Sequence, residues 1–179
     1  MALTGTYKLS TNLAADYDNM TEKISIFADV QNIYYTTRQS FGRHFNYQAL
    51  WDELTQGREV VRAVAYAIDR GDAAQMNFQR ILKEIGFEVR LKPYIQRRDG
   101  SAKGDWDVGI TIDLVDAAAA SDIVVLLSGD GDFDLALERA RKDGAKSWVY
   151  GAEALTAQSL INAADKFVPI DERLLLNKK

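Results

Sequence analysis

Four aspartates stand beside predicted core elements, at positions where their carboxylates could meet. Asp29 ends a short apolar run, Asp130 and Asp132 follow another apolar run on either side of a glycine, and Asp107 opens a predicted helix. Glycine gives the turn the freedom to point Asp130 and Asp132 at one location. Four carboxylates crowded together would repel one another, and a divalent cation would relieve that repulsion.

Oxygen ligands of this kind select Mg²⁺ or Mn²⁺ over softer metals, and both ions support phosphate chemistry. A competing interpretation is that aspartates after strands are helix N-caps or turn formers. That interpretation suits any one of the four positions better than it suits the whole set.

The composition leaves oxygen as the main ligand chemistry of the chain. The 179 residues include no cysteine and one histidine, His44. This excludes disulfides, thiolate nucleophiles and structural zinc fingers, and leaves few imidazole metal sites. The formal net charge of −4 argues against a polycation that coats nucleic acid, so a phosphate-rich partner would have to meet a local patch.

Length and composition fit one globular domain, with 47% hydrophobic and 27% charged residues. Residues 1–22 are polar and aperiodic and are interpreted as an N-terminal arm, and residues 23–179 as a single domain. No apolar run reaches the roughly 18 residues of a membrane span, and the N-terminus lacks the pattern of a signal peptide. The sequence predicts a cytoplasmic protein without a membrane partner, and a homodimer is left open.

Apolar strand-like runs alternate with helical patterns from residue 24 onward. Predicted strands cover 24–29, 60–68, 87–91, 123–127 and 147–150, with a candidate edge strand at 167–170. Predicted helices cover 34–54 with a break near 42–44, the segment from Asp72 to Gly86, 106–120, 133–142 and 156–164. Apolar strands separated by helices indicate a three-layer αβα fold with a mainly parallel, five-stranded sheet. Ligands of such folds bind beyond the carboxyl ends of the strands, which is where Asp29 and Asp130 stand.

A basic segment at residues 90–103 leads into Asp107. It holds five basic residues and one acid, a local excess of +4. Cations hold backbone phosphates and a tyrosine can stack on a base, although charged loops are often only solvated. Arg38, with Tyr34 and Tyr35, could line the same crevice, although aromatic residues of a first helix more often join the core. The candidate nucleic-acid contacts within the segment are Lys92, Tyr94, Arg97, Arg98 and Lys103.

These motifs resemble the NYN domain of the PIN-like nuclease superfamily, in its LabA-like branch. The resemblance covers about residues 24–170 and is most specific in the Ser-Gly-Asp-x-Asp-Phe motif at 128–133. It implies a PIN-like fold with strand order 3-2-1-4-5. It also implies a metal-dependent ribonuclease that acts in RNA processing or decay.

The resemblance also assigns roles to individual residues. Asn32 would orient Asp29 or a metal-bound water, and Ser128 would support the turn. Asp113 matches the family pattern but lies six residues beyond Asp107, about 600° of helical rotation, so it is predicted to form structural hydrogen bonds rather than to bind the ion. Asp105 is interpreted as a cap or a surface charge. The implied metal ligands are Asp29, Asp107, Asp130 and Asp132.

The predicted function is hydrolysis of RNA phosphodiester bonds. Single-stranded or structured RNA is the expected substrate, since the basic segment is short for a long duplex. One alternative is an RNA-binding or regulatory protein that keeps the acidic pocket but cleaves little. Another is a phosphohydrolase or receiver-like domain that is phosphorylated on Asp29, although the haloacid-dehalogenase pattern has its Asp-x-Asp after the first strand and not after the fourth.

Overall fold

The computed structural model describes residues 20–99 and 102–178, without the side chains of residues 96, 102 and 103. The predicted N-terminal arm, residues 1–22, therefore lies outside the described residues except for its last three. The first strand begins at Glu22, at the end of that arm.

Strands and helices alternate along the described chain. In order, they are β1 (Glu22–Asp29), α1 (Val30–Phe41), α2 (Tyr47–Thr55), β2 (Arg58–Asp69), α3 (Ala73–Ile85), β3 (Glu88–Pro93), β4 (Ile95–Gln96), β5 (Ala102–Lys103), α4 (Asp107–Ala118), β6 (Ile123–Leu127), α5 (Asp134–Lys142), β7 (Lys146–Gly151), α6 (Gln158–Ala163) and β8 (Lys166–Pro169). Short 3-10 turns cover Gly131–Phe133, Glu153–Leu155 and Glu172–Leu174.

Six of these strands form one parallel sheet in the order β3-β2-β1-β6-β7-β8. The short antiparallel pair β4 and β5 stands apart from it. Without that pair the order is 3-2-1-4-5-6, which confirms the predicted α/β fold and adds the candidate edge strand as a sixth. The strand order reverses between β1 and β6, and ligands of such sheets bind at that point.

The sheet separates two hydrophobic cores. Ile26 of β1 packs on one face with Leu50 and Leu82 from α2 and α3. Phe27, the next residue, packs on the other face with Leu114, in α4. Successive strand residues point to opposite faces. Both faces of the central strands are therefore covered, which explains why β6 is apolar at all five positions.

The first predicted helix begins earlier than expected and is two helices. α1 starts at Val30 because the Asp29 carboxylate accepts a hydrogen bond from the Asn32 N–H and caps it. Gly42 ends α1 with a φ of 62°, a left-handed conformation that glycine adopts without strain. The predicted start at Tyr34 is wrong by one turn, and the added turn brings Val30 and Ile33 into the buried face of α1.

The helices of the described residues are short. The longest, α3, has 13 residues. Across residues 20–99 and 102–178, no helix combines the length and the apolar character needed to cross a bilayer.

Candidate functional site

Two turns after the adjacent strands β1 and β6 form the base of the candidate site. Asp29 ends β1, and Ser128 follows β6. The Ser128 hydroxyl donates to Oδ2 of Asp29 at 3.2 Å, and Oδ1 of Asn32 accepts the Gly129 N–H at 2.9 Å. The two strand ends are thus joined by side-chain hydrogen bonds, and the amide of Asn32 holds the turn.

Side chains within the turn after β6 also accept hydrogen bonds from its backbone N–H groups. The Asp130 N–H donates to the Ser128 hydroxyl at 3.2 Å, and the Asp132 N–H donates to Oδ1 of Asp130 at 3.0 Å. A Cβ at Gly129 would lie 2.6 Å from the carbonyl oxygen of Leu155, so a larger residue there would displace backbone. The positions of both aspartates are therefore set by a closely packed turn.

Three carboxylates converge beside this turn. Asp107, Asp130 and Asp132 each place one oxygen within 4.8 Å of the other two. Asp107 is the first residue of α4, so a second element joins the turn. Oxygens that share one small divalent ion lie about 2.0–2.6 Å from it, which allows separations of this size. The cluster can therefore hold a metal ion.

Asp29, the fourth predicted ligand, lies beside this group of three. Its carboxylate lines a cavity of about 360 Å³ whose wall also includes Asp107 and Asp130. Both of its oxygens accept hydrogen bonds, one from the Asn32 N–H and the other from Ser128. Asp29 therefore lines the same cavity as Asp107 and Asp130, which we call the acidic cavity. Its two hydrogen bonds fix its position there.

Burial raises the pKa of two of these carboxyl groups. The pKa of Asp29 rises from 3.8 to about 6, mainly through desolvation, and the hydrogen bonds from Asn32 and Ser128 oppose the rise. The pKa of Asp107 also rises to about 6, through desolvation and then through neighbouring negative charges, of which Asp105 acts most strongly. Buried anions in such a cluster favour protons or a cation as counter-charge.

Asp105 is a cavity residue that sequence reasoning missed. It is exposed and accepts the Asp107 N–H at 3.3 Å, as a cap would. It also lines the acidic cavity together with Asp29. The signal was present in the sequence, because Asp105-Trp-Asp107 repeats the Asp-x-Asp spacing of the turn after β6.

Asp113 lies behind the cavity, in a buried ion-pair cluster. It is 7% exposed. The Tyr66 hydroxyl donates to its Oδ2 at 2.6 Å, Arg90 donates to the same oxygen at 2.6 Å, and Arg62 lies 3.2 Å from its other oxygen. Tyr66 lines the acidic cavity. Asp113 therefore contacts the site through Tyr66 and is not a member of the three-carboxylate group.

The first two cations of the basic segment already have partners within the protein. Arg90 forms the ion pair with Asp113. The Lys92 ammonium donates to the backbone oxygen of Asp105 at 2.8 Å and lies 4.4 Å from the centre of the Trp106 ring. Lys92 therefore braces the entry to α4, next to the acidic cavity.

Other predicted nucleic-acid contacts stand on the surface. The Tyr94 ring lies under the Arg70 guanidinium, 5.7 Å from its centre. The side chain of Lys103 lies outside the described residues. The exposed candidates are Arg38, Tyr94, Arg97 and Arg98.

Comparison with known proteins places the chain in a family. The family model of the NYN domain matches residues 23–171. The chain belongs to the NYN domain family. It is 28% identical over 161 residues to the low amplitude and bright protein LabA of Synechococcus elongatus, a match that covers 84% of each protein. A crystal structure of a protein of unknown function from Vibrio parahaemolyticus is 54% identical, with a TM-score of 0.84 and coverage of 88% of this chain and 98% of that one.

The metal-free NYN domain is expected to lose stability as Asp29 loses its proton. With a pKa of 3.8 in the unfolded chain and about 6 in the folded one, the contribution of Asp29 is complete below pH 3.8 and is lost as the pH rises to about 6. A shift of this size on a mostly buried group corresponds to roughly 2–3 kcal/mol. The Asp29→Asn variant should therefore be about 2 kcal/mol more stable than wild type at pH 8, with a much smaller difference at pH 4.

Urea unfolding in the presence of a chelator, at pH 4 and pH 8, measures this effect. Asp116→Asn, which removes an exposed carboxylate from α4, controls for the loss of one negative charge. A difference between Asp29→Asn and wild type that does not change with pH would contradict the prediction.

Proposed function

We propose that this NYN domain hydrolyses RNA phosphodiester bonds with a Mg²⁺ or Mn²⁺ ion held by Asp107, Asp130 and Asp132. The observation that carries the proposal is the convergence of oxygens of these three carboxylates within 4.8 Å of one another, at a cavity that Asp107 and Asp130 line. Membership of a PIN-like nuclease family supports it. The all-oxygen ligand set suits a hard divalent cation.

A divalent cation held there would supply charge compensation and activate water for attack on phosphorus. The protein's own part is to hold the ligands. Hydrogen bonds of Ser128 and Asn32 join the two strand ends, so the turn that carries Asp130 is tied to the end of β1 that carries Asp29. Such fixed geometry favours catalysis, because the ligands need not reorganise during the reaction.

The surface around the cavity favours an unpaired RNA strand. Arg90 and Lys92 are engaged within the protein, so the cationic surface of the basic segment is shorter than its sequence suggests. Arg97, Arg98 and Tyr94 are exposed and can contact a few phosphates and a base. A long duplex would need a more extended cationic surface.

The test is cleavage of a short, end-labelled single-stranded RNA by the purified full chain. Mn²⁺ and Mg²⁺ should yield shortened products that a chelator prevents, and the same RNA annealed to its complement should be cut more slowly. Products that form equally well in the chelator would show that cleavage does not require a divalent cation and would contradict the proposal. Binding of the RNA without any metal-dependent product would favour the RNA-binding alternative.

A further inference from the structure

A second and larger cavity adjoins the acidic one. It has a volume of about 630 Å³ and lies between α1, the start of α3 and the segment around Leu176. Gln31, Tyr35 and Ile68 line both cavities. The two cavities are therefore neighbours that share these three side chains, and the function proposed above uses only the smaller one.

Aromatic rings form much of the wall of the larger cavity. Tyr34 and Tyr35 pack edge to face with ring centres 5.4 Å apart, and Tyr34 stacks on His44 at 5.7 Å. Tyr47 and Phe78 line another part of the wall, with ring centres 5.7 Å apart. Tyr34 and Tyr35 are 40% and 50% exposed. Their rings are therefore available to a ligand rather than committed to the core.

Two arginines flank this wall. Arg38 donates to the Tyr34 hydroxyl at 2.6 Å and lies 5.3 Å from the centre of the same ring. Arg70 donates to the Tyr35 hydroxyl at 3.3 Å and lies over the Tyr94 ring. Guanidinium groups beside exposed aromatic rings are a common arrangement for binding unpaired nucleotides, since the rings stack on bases while the cations hold phosphates.

We propose that the larger cavity binds one unpaired nucleobase of an RNA strand whose phosphate lies at the acidic cavity, with Tyr35 as a stacking ring. The inference rests on the proposed function, because the base is placed on the same RNA strand that the acidic cavity would cut. Base and phosphate of a nucleotide are joined through one sugar, so a base pocket has to adjoin the phosphate site, as these two cavities do. A volume of about 630 Å³ lies within the range of small-molecule sites.

Polar groups of the wall favour a base over a purely apolar ligand. The Gln31 side chain, on the wall shared by both cavities, has both a donor and an acceptor for the edge of a base. Arg70 and His44 add polar or charged groups to the same lining. Stacking is sequence-tolerant because every base has a π-face, so any base preference would come from such edge contacts.

The test measures binding of short fluorescent oligoribonucleotides to the full chain with Mg²⁺ present. One strand is intact, and a series carries a single abasic residue walked along the sequence. Wild type should lose affinity by about tenfold at one position of the series, the size expected when one base loses its stacking partner. Tyr35→Ala should weaken binding of the intact strand by a similar factor and should no longer respond to the abasic residue, because both changes remove one contact.

Two further variants complete the design. Tyr35→Phe keeps the ring and should restore the binding that Tyr35→Ala loses. Leu135→Ala removes a large side chain, 71% exposed on α5, and should bind every probe as wild type does. Equal affinity of Tyr35→Ala and wild type for the intact strand, or an undiminished abasic penalty in Tyr35→Ala, would overturn the inference.

Gel analysis of the same probes separates this inference from the proposed function. Base-dependent binding without cleavage would remove the nuclease assignment and keep the base pocket. Metal-dependent cleavage that Tyr35→Ala does not alter in rate or KM would keep the nuclease and remove the base pocket. A wild-type chain that binds none of the probes would remove both.

Discussion

The Asp130→Asn variant is expected to cleave RNA at least about a hundredfold more slowly than wild type, because loss of even an indirect partner of a metal ligand costs 10- to 100-fold. Asp130 belongs to the three-carboxylate group and also lines the acidic cavity. Asparagine is nearly the same size but carries no charge, and neutral amides compensate a divalent cation less well than carboxylates. In the wild type the Asp132 N–H donates to Oδ1 of Asp130. The amide oxygen of the variant can still accept this hydrogen bond. The turn should therefore survive, so that a loss of cleavage reports on the missing ligand charge.

Initial rates as a function of Mn²⁺ concentration, together with calorimetric Mn²⁺ binding, measure the effect. Asp107→Asn should behave in the same way, since Asp107 is the ligand that α4 contributes. Asp134→Asn is the matched control. It removes the same charge two residues after Asp132, from a side chain that accepts the N–H of Leu135, and should keep the wild-type rate. Wild-type cleavage and Mn²⁺ affinity in Asp130→Asn would contradict the metal assignment.

The fold could be predicted from the sequence because its strands carry a strong signal. β6 is apolar at all five positions and buried at all five, which is typical of a strand covered on both faces. Neighbouring parallel strands also have their carboxyl ends at the same edge of a sheet. This is why Asp29 and the turn at 128–132 could be expected to meet, although they are about a hundred residues apart.

The orientation of α1 could not be predicted as easily. The residues that mark its buried face lie mostly in its first turn, which Asp29 caps at Val30. From that start, Val30, Ile33 and Thr37 form the buried face, a spacing that follows the helical repeat. The tyrosines at 34 and 35 then face outward and line a cavity, instead of joining the core. The predicted start at Tyr34 left out Val30 and Ile33, two of the three residues that mark the buried face, so the sequence could not decide whether the tyrosines line the crevice or join the core.

The number of basic residues in the basic segment overstates how many cations are available to a ligand. Counting treats Arg90 as an available cation, whereas the structure pairs it with Asp113, which lies 23 residues away in another element. A buried carboxylate requires partners, and nothing local in the sequence shows which cations supply them. Predictions from charge runs are therefore weakest where a buried acid lies nearby.

The Asp113→Ala variant is expected to lower the free energy of unfolding by about 3 kcal/mol, because removal of a buried ionic partner leaves the other members uncompensated. Burial and the adjacent carboxylate raise the pKa of Tyr66 above its usual range, so its hydroxyl stays protonated and donates to Asp113. Without Asp113 that hydroxyl and the Arg62 guanidinium lose this acceptor, whereas Arg90 keeps its ion pair with Glu88. The side chains of Arg62 and Arg90 are 29% and 35% exposed, so water can hydrate them in part. The expected loss therefore lies at the low end of the range for buried pairs.

Urea unfolding of three variants distinguishes this cluster from an ordinary surface charge. Asp116→Ala removes an exposed carboxylate from the same helix and should change stability by less than about 0.5 kcal/mol. Tyr66→Phe removes one hydrogen bond and should cost about 1 kcal/mol. The double variant Asp113→Ala/Tyr66→Phe should lose less than the sum of the single losses, because both remove the same hydrogen bond. Additive losses, or an Asp113→Ala variant as stable as Asp116→Ala, would show that this cluster does not hold β2, β3 and α4 together behind the acidic cavity.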